Sequence, residues 1–409
     1  MGVVARLADA ALAWMTPKRS FVYALVLAAM TNIVFVGLYL HVPSFRETPG
    51  ADFVQFYSAA LLTGTNPEKL YDPEAQKQIQ KQFSPGARRG IFWPYLHAPF
   101  FTILLMPLRG FSYVGAYWVW TGFTVFLSCL SVAMIVRLEP TRRPSLKLGL
   151  AVIYAAPVLY WLIATGQTTA VALFLWTLAF ILIKQSRLFW SGFALGVLSY
   201  RAQYLAVVLP LLAFRRMWSG LVGAAASGLL LLVAGGLMFS FDSYGAYIQS
   251  VAEQSRRIVT LAQPLSHYVT LFGFFRALLP HSWAVAATGV TSLLVIYWLW
   301  RVWRDVVPQD SSAFDLQWTM LMVATLLLMH HGFVYDLILL TVPILLLYPY
   351  RTELSPYSKL SLLLLYFVPY IMVIFAGELP FNPIQPILMF LCFEINRVYR
   401  KSRLECAAD

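Results

Sequence analysis

The sequence predicts an all-α protein that crosses a membrane many times. Of its 409 residues, 60% are hydrophobic and only 12% are charged, whereas soluble domains carry about 25% charged residues. Apolar runs of roughly 20 residues, the length needed to cross a bilayer, recur along the chain, and Lys and Arg collect between alternate runs. These observations exclude a soluble fold and predict about ten full spans plus a broken two-helix hairpin.

The apolar runs support this count in order. They lie near 21–40, 113–136, 147–164, 168–183, 188–214, 217–240, 281–300, 314–330, 333–349, 357–376 and 383–398. The first run is long for the core of a signal peptide, and no small-x-small cleavage site follows it. We therefore expect a retained first span.

The basic residues set the predicted topology. With the N-terminus inside, most of the 30 Lys and Arg fall in cytoplasmic segments, and the short outer loops 165–167 and 377–382 carry none. This is the positive-inside pattern of membrane proteins, so the net charge of +12 indicates membrane topology and not nucleic-acid binding. Both chain ends are expected in the cytoplasm, with loops 41–97 and 241–280 outside and a cytoplasmic tail at 397–409.

The run 188–214 breaks the pattern. Basic residues flank both of its ends, so it enters and leaves on the cytoplasmic side, yet it is too short for two full spans. "SYRAQY" (199–204) interrupts its middle. We expect a hairpin of two short helices with Arg201 near its tip. Irregular backbone at this depth is tolerated where it lines a polar cavity, and an intramembrane Arg indicates function.

Polar side chains collect on the predicted outer side. They are Asp52, Tyr95, His97, Gln167, His267, His330, His331, Tyr335, Asp336 and Glu378. A carboxylate can take a proton from an acceptor hydroxyl, while Arg and His can hold a phosphate leaving group. The set suits transfer of a group from an anionic, lipid-embedded donor. No metal-ligand pair, nucleophile elbow or phosphate-cradling Gly loop is found, and the three cysteines lack metal or redox spacing.

Six stretches resemble glycosyltransferase family 87, a family of GT-C-fold membrane enzymes that includes polyprenol-phosphate-mannose-dependent mannosyltransferases. The resemblance runs from about 45 to 400. The stretches are "ADFVQFYSAALLTGTNPEKLYD" (51–72), "FWPYLHAPFFTILLMPL" (92–108), "ATGQTTAVALFL" (164–175), "SGFALGVLSYRAQYLAVVLPLLAFRRMW" (191–218), "QPLSHYVTLFGFFRAL" (263–278) and "HHGFVYDLILL" (330–340). The tip departs from the family in reading Arg201-Ala202-Gln203 where Lys-Pro is common.

The resemblance implies a GT-C-like transmembrane domain over 1–409, with short jaw helices in the first outer loop. It also implies an inverting transferase that moves mannose or another hexose from a polyprenyl-phosphate donor to a lipid or glycan acceptor. The active site would lie on the extracytoplasmic side of a cell membrane, and a bacterial inner membrane fits the composition. No cofactor, essential metal or nucleic-acid partner is expected.

The expected site roles follow from the residues and the resemblance together. Asp52 would be the general base, the alternative being a helix N-cap. Arg201 and His331, or His330 in its place, would hold the donor phosphate. Expected substrate contacts are Gln167, Gln203, Ser266, His267, Tyr95 and Tyr335.

Two further expectations concern the segment 330–336 and the class of protein. His331 and Tyr335 are spaced i, i+4 and would share a helix face, and Asp336 could pair with Arg276 or a His. The competing class is a transporter or flippase for a lipid-linked sugar. Its signature would be repeats with paired broken helices, and the chain shows one broken hairpin without a convincing second copy.

Overall fold

The computed structural model describes residues 16–41, 49–259, 268–374 and 382–406, and within these ranges the chain is helical without a β-strand. The predicted all-α class is therefore confirmed. The first α-helices are α1 Pro17–His41, α2 Phe53–Thr65, α3 Pro73–Phe83, α4 Pro85–Arg88, α5 Thr102–Leu105, α6 Tyr113–Leu138, α7 Leu146–Ala155, α8 Pro157–Thr165, α9 Thr169–Lys184 and α10 Leu188–Val197. The others are α11 Leu205–Phe214, α12 Trp218–Phe239, α13 Asp242–Val259, α14 Leu271–Leu278, α15 His281–Trp303, α16 Ser312–Leu328, α17 Thr341–Leu347, α18 Pro356–Ile374 and α19 Ile384–Cys406. Short 3₁₀ helices cover Pro67–Lys69, Pro99–Phe101, Met106–Gly110, Leu198–Tyr204, Val334–Leu340 and Tyr348–Tyr350.

The described helices support a multi-pass membrane protein but not the predicted count of ten full spans. By length and composition, five segments could cross a membrane, namely α1, α6, 188–214, α12 and α15, and the bent pair α7–α8 would make a sixth. Helices α9 and α16 have 16 and 17 residues, fewer than the roughly 20 that a bilayer requires. Most of their side chains are buried against other helices. Their length and burial therefore leave these two predicted crossings unconfirmed.

Proline and glycine shape the helix pair α7–α8 and the turn that follows it. Helices α7 and α8 meet at an angle of 54°, because Pro157 begins α8 and holds Ala156 in an extended conformation. Helix α8 ends at Gly166, whose φ is +70°, a left-handed conformation that glycine adopts without strain. The bend and the C-cap together aim the turn at the start of α2.

The segment 188–214 reverses direction. Leu188 and Leu212 both come within 4 Å of the point that a Cβ on Gly220 would occupy, so the two ends of the segment lie side by side. The connecting 3₁₀ helix Leu198–Tyr204 has non-helical dihedrals at Arg201, with φ −130° and ψ 82°. The hairpin that the basic flanks predicted is therefore present, with Arg201 at its tip.

Glycines bring the first arm of the hairpin against α12. A Cβ on Gly192 would lie 1.7 Å from the Gly220 carbonyl oxygen, and a Cβ on Gly223 would lie 2.0 Å from the Phe189 carbonyl oxygen. Small residues permit such close backbone approach between helices in membranes. This contact fixes the base of the hairpin, so it also fixes the position from which the tip projects.

The segments predicted to be cytoplasmic meet at one end of the bundle. The buried Arg143 is paired with Asp315, and Lys184 Nζ lies 2.9 Å from the same carboxylate. Arg215 donates to the Trp303 carbonyl at 2.8 Å. Four segments meet at the other end of the bundle, and the hydrogen bonds that join them are given with the candidate site. They are 49–53, 165–169, 199–204 and 330–336. That the basic end faces the cytoplasm, and that the short helices α2, α3 and α4 act as a jaw, stay predictions.

Single-cysteine labelling tests the orientation. Glu68 and Val306 are both exposed, and they lie in loops predicted to face opposite sides. In a background without the three native cysteines, we expect a membrane-impermeant maleimide to label Glu68→Cys from outside intact cells and Val306→Cys only after permeabilisation. The unsubstituted background is the control. Labelling of Val306→Cys from outside intact cells would contradict the predicted topology.

Candidate active site

The turn after α8 positions the start of α2. The Asp52 amide donates to the Thr165 carbonyl at 3.0 Å, and the Ala51 amide donates to the Ala164 carbonyl at 3.1 Å. A Cβ on Gly166 would lie 2.6 Å from the Phe53 Cβ. Only glycine therefore satisfies both the left-handed turn and this close approach, and the backbone of Asp52 is held against the turn.

The Asp52 carboxylate points away from its own helix. It sits at the N-cap position of α2 but makes no capping hydrogen bond. Its Oδ2 instead accepts from Gln167 Nε2 at 2.7 Å. The N-cap alternative is therefore wrong for this side chain, whose partner belongs to the turn 115 residues along the chain.

Arg201 is held by an acid on the segment 334–340. Its Nη1 donates to Asp336 Oδ1 at 2.9 Å and to the Tyr204 hydroxyl at 3.1 Å. Asp336 also accepts from the Thr169 hydroxyl at 2.7 Å and from the Phe333 amide at 3.0 Å. Among the described residues, Asp336 therefore pairs with Arg201, and not with Arg276 or a His as expected.

Gln167 connects the two charged groups. Its Nε2 donates to Asp52, and its Oε1 accepts from Arg201 Nη2 at 3.5 Å. The amide thus presents its donor to the carboxylate and its acceptor to the guanidinium. A carboxylate and a cation are thereby placed on opposite sides of one fixed side chain.

These groups open into a cavity of about 670 Å³ between the first-loop segment and the hairpin tip. Among the predicted site residues, the cavity is lined by Asp52, Gln167, Arg201, Gln203, His330, His331 and Tyr335. Tyr95 is fully buried and does not line the cavity; its ring stacks on His97 instead. Ser266 and His267 lie outside the described residues.

Aromatic side chains that sequence reasoning missed complete the cavity wall. They are Phe92, Trp93, Trp161, Tyr247, Tyr268 and Phe333. The run "FWPY" (92–95) was a local signal for the first two, but the chain is 16% aromatic, so abundance alone marks none of them. Gln55, one turn into α2, also lines the cavity.

The predicted helix face shared by His331 and Tyr335 is wrong. The helical segment begins at Val334 and is 3₁₀ in character, so His331 lies in the preceding loop. Its carbonyl accepts from Gln203 Nε2 at 2.8 Å, which ties the hairpin tip to this loop. Both side chains still line the cavity, but for a reason other than helical spacing.

His331 can offer hydrogen bonds but little charge. Burial and the Arg201 charge lower the pKa of His331 to about 4, so its imidazole is neutral near pH 7. Its buried Nδ1 has no hydrogen-bond partner in the described structure. A neutral ring with a free nitrogen is suited to meet a ligand oxygen, while the positive charge at this site belongs to Arg201.

Burial also acts on the carboxylate. It raises the pKa of Asp52, although the hydrogen bond from Gln167, the charge of Arg201 and a hydrogen bond from Trp93 oppose the shift. A carboxylate with a raised pKa is a stronger proton acceptor than an ordinary Asp, provided that it remains ionised at working pH. The environment of Asp52 is therefore appropriate for a general base.

Among the described residues, no three His, Cys, Asp or Glu side chains cluster so that they could hold a metal ion. The acids at this site accept hydrogen bonds from Arg201, Gln167, Thr169 and the Phe333 amide. That the reaction needs no metal stays a prediction.

Comparison with known proteins identifies the family. The model for glycosyltransferase family 87 matches residues 95–329, more than half of the chain, including Gln167 and the whole hairpin. No curated protein and no solved structure matches the chain. Asp52 and the loop at His331 lie outside the matched stretch and contact it through Gln167 and Gln203. The chain therefore belongs to glycosyltransferase family 87 and is a membrane glycosyltransferase.

Proposed function

We propose that this enzyme moves mannose or another hexose from a polyprenyl phosphate to a hydroxyl of a lipid or glycan acceptor. In this proposal the whole chain, 1–409, acts as one GT-C-like domain whose site opens on the extracytoplasmic side. The observation that carries the proposal is the arrangement of Asp52 and Arg201 on opposite sides of Gln167 in one cavity. Membership of a glycosyltransferase family removes the support for a transporter.

The two charged groups fit the two ends of a displacement at the sugar carbon. Asp52 takes the proton of the acceptor hydroxyl, and the hydroxyl oxygen attacks the anomeric carbon from the face opposite the phosphate. The bond between that carbon and the phosphate oxygen breaks, and its electron pair leaves with the polyprenyl phosphate. Attack opposite the leaving group inverts the configuration at the anomeric carbon.

One carboxylate is enough for this chemistry. Sugar hydrolases usually need two, because an alkoxide leaving group must be protonated. A phosphate leaves as a stable anion, so it requires a positive partner and not an acid. The Arg201 guanidinium provides that partner, with Nη1 held by Asp336 and Nη2 turned toward Gln167 and the cavity. His331 and Gln203 would add neutral hydrogen-bond donors.

The size and wall of the cavity also support a sugar-phosphate ligand. Its volume of about 670 Å³ falls within the range of about 300–1,000 Å³ typical of small-molecule sites. Trp93, Tyr247 and Tyr268 offer ring faces on which the C–H faces of a hexose can pack. Polar groups at one end and aromatic rings around them are the usual composition of such a pocket.

The test is donor profiling of the purified enzyme. Polyprenyl-phosphate mannose, the matching glucose and galactose lipids, and the corresponding nucleotide sugars are each supplied with membrane-lipid or glycan acceptors. We expect release of polyprenyl phosphate and formation of a glycoside of inverted configuration with one lipid-linked donor. Transfer from nucleotide sugars alone would contradict the proposal.

A further inference from the structure

We propose a second binding site, for an anionic phospholipid, at the basic end of the bundle. A cavity of about 360 Å³ opens there between the C-terminal ends of α15 and α19. Four arginines line it, Arg301, Arg304, Arg400 and Arg403, together with Val302, Asp305, Asn396 and Tyr399. It lies at the opposite end of the molecule from the candidate active site, so the proposal stands independently of the proposed reaction.

Among the described residues, the basic lining of this cavity outnumbers its acidic lining. Asp305 is the only acid among the described lining residues, and its carboxylate lies 2.7 Å from Arg403 and 3.9 Å from Arg304. Arg301 donates to the Tyr297 hydroxyl, and Arg400 makes no hydrogen bond or ion pair among the described residues. Arg301 and Arg400 therefore line the cavity without an ion pair to any described acid.

Membrane topology alone accounts for basic residues at this end, but not for their convergence. The positive-inside pattern requires charge near the ends of spans. Other basic residues here are engaged by the protein, as when Arg143 and Lys184 share Asp315 and Arg215 donates to main-chain carbonyls. Arg301 and Arg400 differ from them because they line a cavity large enough for a phosphate-bearing group.

The surroundings favour a lipid over a free phosphate. Exposed apolar side chains of α15 and α19 lead along the helices to the cavity, namely Leu293, Leu294, Ile296, Tyr297, Trp300 and Phe393. The guanidinium of Arg304 lies 5.8 Å from the Trp300 ring centre, a pairing of aromatic and basic groups typical of the membrane interface. Acyl chains could follow the apolar surface while the headgroup occupies the cavity. Basic pockets between membrane helices are known to bind anionic headgroups.

Lipid titration of the full-length protein in a non-ionic detergent tests the site. We expect phosphatidylglycerol to bind at least about tenfold more tightly than phosphatidylcholine, measured by native mass spectrometry and by the rise in unfolding temperature. The double variant Arg301→Gln/Arg400→Gln should weaken phosphatidylglycerol binding by about tenfold. The matched control Arg137→Gln/Arg187→Gln removes the same charge from the same end, at exposed residues away from the cavity, and should leave the affinity unchanged.

Each other outcome overturns the proposal. Equal loss of affinity in both double variants would mean diffuse surface attraction. A rise in unfolding temperature with inorganic phosphate as large as that with phosphatidylglycerol, abolished by the same variants, would mean a free-anion site. If the double variant does not fold, Arg400→Gln alone serves as the test, because Arg400 has no hydrogen bond or ion pair with the described residues that the substitution would remove. An affinity for phosphatidylglycerol equal to that of the unsubstituted protein would then reject the site.

Discussion

Asp52→Asn should transfer sugar at least about 100-fold more slowly than the unsubstituted enzyme at matched donor occupancy, because general-base catalysis contributes about 10²–10⁴-fold. The amide keeps the size of the side chain but cannot accept a proton. It can still accept the hydrogen bond from Gln167, so the cavity should stay intact and donor affinity should change little. Single-turnover transfer is the measurement, because it separates the chemical step from donor binding and product release.

The chain offers a matched control for this substitution. Asp72 is also in the first loop, but it is exposed and caps α3 through the amides of Glu74 and Ala75. Asp72→Asn makes the same chemical change away from the cavity and should transfer at the normal rate. A normal single-turnover rate for Asp52→Asn would show that the carboxylate is not the general base. Asp336 and Glu378 would then be the next acids to test.

The pH profile gives an independent readout. The base must be ionised, so kcat/KM should rise with pH through the pKa of Asp52 and level off above it. Since burial raises that pKa, the rise should lie above the value of about 3.9 for an unperturbed Asp. The residual kcat/KM of Asp52→Asn should not show this rise with pH. If the variant keeps the same rise, the titrating group is not Asp52.

Arg201→Ala should weaken donor binding by on the order of 100-fold or more, the cost expected when one partner of a buried charge contact is removed. Arg201→Lys should retain part of the affinity, because an ammonium keeps the charge but cannot grip a phosphate in the bidentate manner of a guanidinium. Equilibrium binding of a non-transferable polyprenyl-phosphate sugar analogue measures both effects without turnover.

The pairing of Arg201 with Asp336 complicates the alanine variant. Only 1% of the Asp336 side chain is exposed, so removal of Arg201 leaves a buried carboxylate unpaired, which destabilises a protein strongly. The double variant Arg201→Ala/Asp336→Asn removes that charge. It should recover the unfolding temperature of the enzyme but not its donor affinity. Recovery of both would mean that Arg201 serves only to neutralise Asp336.

The sequence predicted those parts of the fold that depend on residues close together in the chain. Apolar runs predicted the helices, and basic flanks predicted the reversal at 188–214. The bend at Pro157, inside the run 147–164, was not predicted. Hydrophobicity could not give the number of spans. An apolar helix buried among helices, such as α9 or α16, has the same composition as one that faces lipid.

The contacts that define the candidate site were beyond local reasoning. Gln167 was expected only as a substrate contact, yet it joins Asp52 and Arg201, each of which lies far from it in the chain. Asp336 reaches Arg201 across 135 residues. Helical spacing placed His331 on the wrong element because Phe333 is extended and helical geometry begins only at Val334. The spacing of residues along one helix says which side chains share a face of that helix, but not which other segment the face contacts.

The reversal at 188–214 has a consequence for the biogenesis of the protein. During membrane insertion, each full crossing exchanges the compartment of every later loop, whereas a re-entrant hairpin leaves the order unchanged. The 27 residues of this segment are enough for one crossing, but the chain reverses at the break in its middle. If the segment were straightened into a single span, everything downstream would be inverted. His331, Tyr335 and Asp336 would then be delivered to the compartment opposite Asp52, and the two halves of the candidate site would never meet.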